Sequence, residues 1–91
     1  MTIWHFKGEL IHTDGAVATY RFFPDHVMAP TVSGVFIVDL SSFDARISQP
    51  AEAELRGLVS TDQHCVSALT SKIRKAVTAT GTPPPVEFLI A

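Results

Sequence analysis

The chain has 91 residues, a formal net charge of -2, 46% hydrophobic and 18% charged residues, the make-up of one small globular domain rather than of a disordered chain. Its acidic balance argues against a dedicated nucleic-acid binder and against attraction to an anionic membrane, because both need a surplus of basic side chains. One cysteine, Cys65, cannot form an internal disulfide, no apolar run reaches the roughly 18 residues of a membrane span, and the first ten residues lack the basic start and apolar stretch of a secretory signal, so the expected setting is a reducing cytoplasm.

Residues 3–12 and 16–23 are predicted as two strands of a hairpin around Thr13-Asp14-Gly15, since Asp-Gly between apolar runs is a strong turn signal. Two registers compete. A two-residue loop at Asp14-Gly15 pairs Leu10 with Thr19 and Gly8 with Arg21, which mixes apolar and polar partners. A three-residue loop, with Gly15 in a left-handed bulge position, pairs His12 with Ala16, Leu10 with Ala18 and Phe6 with Phe22. It also sets Gly8 opposite Tyr20, whose ring covers the bare glycine. The second register sorts the faces better and is the expected one. Its weak point is Lys7 opposite Arg21, a like-charge pair that Glu9 only softens.

Residues 24–33 contain two prolines and no period, and are expected to form a loop. Residues 34–41 are the clearest strand, with Phe36, Val38 and Leu40 on one face and Val35, Ile37 and Asp39 on the other. Ser41-Ser42 then separates it from Phe43 to Ser48, and a short turn there pairs Leu40 with Phe43, Val38 with Ala45 and Phe36 with Ile47. The same register sets Asp39 opposite Asp44. Pro50 ends the sheet region, and residues 51–58 read as a turn or two of helix.

A long helix follows. Ser60 and Gln63 have capping-box spacing, and Asp62 places a negative charge in the first turn, where the helix dipole favours it. At roughly 100° per residue, Cys65, Val66, Leu69, Ile73, Ala76, Val77 and Thr80 form a core-facing stripe. Lys72, Arg74 and Lys75 lie towards the other end, where a solvated face complementing the dipole explains them better than a nucleic-acid patch does. Gly81 terminates the helix and Pro83-Pro84-Pro85 cannot continue it. Val86 to Ile90 returns as an edge strand or packs as a tail. The expected fold is therefore α+β: an antiparallel four-stranded sheet of two hairpins on one C-terminal helix, with a short fifth strand left open. That outline is common among small bacterial domains and does not by itself carry a function.

The functional reading begins with a surplus of apolar side chains. If the helix covers the face bearing Trp4, Phe6, Tyr20, Phe22, Phe36 and Val38, then Ile3, Ile11, Val17, Phe23, Val35 and Ile37 project from the other side. Either the chain covers them itself, with the 24–33 loop, the 51–58 segment or the tail, or a second copy or protein partner does, or the faces are assigned differently. Catalytic signals are weak. His5, His12, His26 and His64 show no metal-ligand spacing, Cys65 falls in the apolar stripe with no base well placed to activate it, and the glycines form no phosphate loop. No metal or cofactor is expected.

Asp39 and Asp44 form the most suggestive pair, because opposed carboxylates repel, raise one pKa and can bind a cation or transfer protons. Salt bridges from either to Arg46, Arg21 or Lys7, or a wider turn that separates the two, are the plainer expectation. Asp25-His26 lies in a loop suited to a site. The leading expectation is a noncatalytic interaction protein that forms a homodimer or binds a protein partner through a sheet face or edge. Inhibitor, antitoxin and immunity proteins belong to that physical class. The rival is a small ligand-binding protein or enzyme whose pocket gathers Asp25, His26, Asp39, Asp44, Lys7 and Arg21.

Overall fold

The structure, a computed structural model, describes residues 5–58 and 60–90; Ile3 and Trp4 lie outside the described residues. Five strands, β1 (His5–Asp14), β2 (Val17–Phe23), β3 (Gly34–Asp39), β4 (Ala45–Gln49) and β5 (Val86–Ile90), form one antiparallel sheet in the order β4-β3-β2-β1-β5. One helix, α1 (Asp62–Thr80), packs on one face. The fold is the expected α+β sheet-and-helix arrangement. The 86–90 segment is resolved as a strand alongside β1, so it extends the sheet sideways and does not lie over a face.

Strand alternation sorts the helix-facing core. Phe6, Ala18, Tyr20, Phe22, Phe36 and Val38 are fully buried there, and α1 sets Cys65, Val66, Leu69 and Ile73 against them. Full burial of each large side chain in this set contributes about 1.5–3 kcal/mol. Leu69 comes close enough to β1 that a Cβ on Gly8 would touch its methyl groups at 3.5 Å, and the Tyr20 ring lies over the same glycine. The Tyr20 hydroxyl donates to the Pro84 carbonyl at 2.6 Å, which ties the centre of the sheet to the segment after the helix. Gly34 is required by close approach: a side chain there would collide with the Gln49 carbonyl and the Phe22 ring.

The first hairpin departs from the expected register. Its loop is Gly15-Ala16, Asp14 faces Val17, and a bulge at Ile11 shifts the ladder so that Leu10 faces Tyr20, Glu9 faces Arg21, Gly8 faces Phe22 and Lys7 faces Phe23. Gly15 has φ 61° at the first loop position, where a type II′ turn favours glycine. The shift replaces the like-charge Lys7–Arg21 pair by the opposite charges of Glu9 and Arg21. Up to the bulge it keeps the parity of the faces, so Phe6, Tyr20 and Phe22 fall on the expected side; beyond it the parity reverses, and His12 faces Thr19 in place of Ala16. In the second hairpin Val38–Ala45 and Phe36–Ile47 pair as expected. The loop is wider than expected, closing at Asp39 and Asp44 rather than at Leu40 and Phe43, with Phe43 at φ 60°.

Residues 51–58 form turns rather than helix, and Ala51 and Ala53 are buried. The helix cap is Thr61, one residue after the expected Ser60; its hydroxyl accepts from the His64 N–H at 3.0 Å. Asp62 does more than complement the dipole. Its carboxylate accepts the backbone N–H groups of Ala51, Glu52 and Ala53 at 2.9, 2.9 and 3.0 Å, with Glu52 at φ 60°. Three backbone donors converging on one anion fasten the β4–α1 connection to the helix start. At the other end Gly81, at φ 82°, donates to the Val77 carbonyl in a left-handed cap. The lysines and arginine of α1 all precede its last turn, which holds no basic residue.

Removing the Asp62 carboxylate strands those three donors. Asp62→Ala should cost about 2 kcal/mol in a urea unfolding experiment, given the net worth of hydrogen bonds to a charged group. Asp62→Asn, which keeps one acceptor oxygen, should fall between it and the wild type. An unchanged midpoint for Asp62→Ala would show that the connection is held by packing alone.

Candidate functional site

The sheet face opposite α1 is built by the odd-numbered residues of β1 up to the bulge and by their cross-strand partners. Lys7 and Glu9 on β1 face Phe23 and Arg21 on β2. On the outer side they face Phe88 and Val86 on β5. On the inner side, Arg21 faces Val35 and Thr19 faces Ile37 on β3. Among the described residues no helix covers this face. Ile11, Val17, Val86 and Phe88 are 48%, 38%, 42% and 47% exposed, and Phe23, Val35 and Ile37 are half-buried.

Two of the three expected internal covers can be placed elsewhere. The tail is the edge strand β5, and the 51–58 segment packs by Ala51 on the helix side. The 24–33 loop reaches the face only at one end. There the His26 N–H donates to the His5 carbonyl at 3.1 Å, and the His26 ring lies 5.3 Å from that of Phe88. Val27 and Met28, next in the loop, are exposed.

The ligand-site candidates separate into two groups at opposite ends of the face. At one end the Lys7 ammonium lies 5.3 Å from the Phe23 ring centre and 5.7 Å from that of Phe88, bridging two rings across β1, while making a 3.8 Å ion pair with Glu9. His26 packs edge-on to His5 beside it. Asp25 is turned into its own loop, where Oδ1 accepts from the Val27 and Met28 N–H groups. At the other end an open depression is lined by Val17, Ile37, Asp39, Asp44, Ala45 and Arg46. Val17 and Phe23 are six residues apart on β2, so the two ends are roughly 20 Å apart at a strand's rise per residue. Arg21 lies between them, exposed, with its guanidinium 3.5 Å from the Ser33 hydroxyl.

At the carboxylate pair the turn is the wider one that the plainer expectation allowed, while the expected salt bridges are absent among the described residues. Asp39 and Asp44 are opposite in the backbone, where the Asp39 N–H donates to the Asp44 carbonyl at 2.9 Å. The Asp39 side chain, however, folds back into the turn and accepts from the Ser41 hydroxyl, the Ser41 N–H and the Ser42 N–H. Those bonds, the Ser41 hydroxyl's foremost, hold its pKa below the usual carboxylate value rather than above it. Its described partners are turn donors, and neither aspartate forms a salt bridge to Arg46, Arg21 or Lys7 among the described residues.

Nucleophilic chemistry finds little support elsewhere. Cys65 is buried, its Sγ 3.7 Å from the Phe23 carbonyl, and burial followed by the Asp62 charge pushes its thiol pKa up. Burial also pushes up the Tyr20 hydroxyl, with Glu87 adding to the effect. No cluster of three or more His, Cys, Asp or Glu side chains suited to a metal ion occurs among the described residues, and none of their helices is long and apolar enough to cross a membrane. Sequence reasoning missed Val86 and Phe88 as parts of the face; the alternation in Val86-Glu87-Phe88 was the available signal. The chain matches no known protein family, curated protein or solved structure.

His26 is a perturbed titratable side chain at this face. Its Nε2 is buried without a hydrogen-bond partner among the described residues. Burial, then Lys7, then His5 lower its pKa, against an opposing contribution from Asp25. Protonation is therefore easier in the unfolded chain, where imidazole titrates near ~6.5. The stabilising contribution is complete above that pH and is lost as pH falls through the lower folded value. An NMR titration should place the His26 midpoint below that of free histidine, and His26→Phe should remove this part of the fall in urea stability between pH 7.5 and lower pH. A midpoint at or above the free value would contradict the assignment.

Proposed function

We propose that this protein is a noncatalytic interaction protein whose sheet face opposite α1 receives a second copy of the chain or a protein partner. The observation that carries the reading is an apolar strip on adjoining strands, exposed at Ile11, Val17 and Phe88 and half-buried at Phe23, Val35 and Ile37, over which no described helix lies. Burying these side chains against another surface returns free energy in proportion to the apolar area removed from water. The interspersed Lys7, Glu9, Arg21 and Arg46 keep the unbound face hydrated and give it a charge pattern that a partner can match. The separation of the polar candidates into two distant groups, with both Asp25 and Asp39 turned into their own loops, supports recognition over catalysis. The acidic balance fits a protein partner better than a nucleic acid.

Val17 and Ile37 are suitable probes, because both point away from the core. Val17→Asp combined with Ile37→Asp should leave the circular dichroism spectrum and the urea midpoint close to wild type while abolishing association through this face. The checks are light scattering for self-association and capture of a partner by immobilised wild-type chain. Wild-type and variant chains that behave alike in both assays would remove the reading.

A further inference from the structure

The sheet has two outer strands, and they are guarded very differently. On β4, Ser48 is an extra residue in a bulge, Arg46 adds a charge, and the strand runs straight into Pro50. Bulges, charges and proline are the usual ways to keep an edge from pairing with another chain. β5 has no bulge, and Pro85, just before its first residue, turns its carbonyl toward β1 rather than outward. The strand's one charge, Glu87, is drawn to the helix side by Lys72 at 3.9 Å, while Val86 and Phe88 stay exposed.

The ladder fixes which backbone groups are free. The Leu10 N–H donates to the Pro85 carbonyl at 2.8 Å, so residue 85, and by alternation 87 and 89, turn their hydrogen-bonding groups toward β1. Val86, Phe88 and Ile90 therefore turn theirs outward. From this pattern we infer that β5 pairs with β5 of a second copy, antiparallel about a two-fold axis centred on Phe88.

Three symmetric registers compete, and charge selects among them. Centring on Glu87 sets two carboxylates directly opposite, which is unfavourable. Centring on residue 89 leaves Val86 and Glu87 outside the overlap. Centring on Phe88 uses the whole strand: Phe88 exchanges hydrogen bonds with Phe88 of the second copy, Val86 does so with Ile90, and Glu87 faces residue 89. Both Phe88 rings then meet on the face opposite α1, and the two five-stranded sheets become one of ten. Such an isologous contact closes on itself and leaves only the guarded β4 edges outside. The inference shares with the reading above only that the chain associates; it uses the strand edge in place of the face, and it names the partner and the register.

Sedimentation equilibrium and hydrogen exchange on the full chain test it. The wild type should form a dimer at micromolar concentration, with the Val86 and Phe88 amides protected although the ladder to β1 does not use them. Phe88→Lys places like charges across the axis, beside Lys7 of each copy, and should weaken the dimer by at least about tenfold and speed Val86 exchange by a similar factor. Phe88→Pro deletes an outward N–H that β1 does not use, and should dissociate the dimer with the sheet intact by circular dichroism. The Val17→Asp and Ile37→Asp pair should leave this dimer in place. A monomeric wild type, or a dimer that survives both Phe88 variants, overturns β5 pairing. A dimer lost only in the Val17/Ile37 variant overturns it too while upholding the face reading.

Discussion

Alternation along a strand obliges every sheet to present two faces, and this chain supplies one long helix to cover them. The helix-facing side is dry because Leu69 and Ile73 of α1 meet Phe6, Tyr20 and Phe36. On the far side, among the described residues, Phe23, Phe88 and His26 gather beside the Lys7 ammonium. The elements that could have served as a second lid are engaged elsewhere: the tail widens the sheet, and the 51–53 segment is held to the helix start by Asp62. The uncovered face is thus a consequence of where the short segments went.

Adding β5 as an edge strand has two effects. It places Val86 and Phe88 beside Lys7 and Glu9, so the apolar strip runs across β1 to the rim of the sheet. It also exchanges β1, a long strand that would otherwise form the edge, for a short one. In a small domain, where surface is large relative to volume, both effects bear on the association proposed above.

Much of this was legible in the residues. Parity along β1 up to the bulge, and along β2 and β3, gave the core face correctly, since alternation depends only on odd and even positions. Gly81 and the prolines marked the helix end. Register was harder, because a slide of two residues keeps every side chain on its face; the Ile11 bulge and the Glu9–Arg21 pairing were decided by tertiary fit. The Asp62 contact was hidden because it joins a helix start to backbone groups about ten residues away, and backbone donors leave no trace in composition. For Asp39 and Asp44, opposition was foreseen correctly. Their chemistry was not, because a short aspartate beside two serines satisfies itself within the turn before it can act across the ladder.

Cys65, the chain's one thiol, lies at the seam between α1 and the sheet with its sulfur near the Phe23 carbonyl. A reagent in solution reaches it only when the helix swings off the strands. Its rate of modification therefore reports on that opening, and the molecule carries its own probe of how often the helix lifts from the sheet.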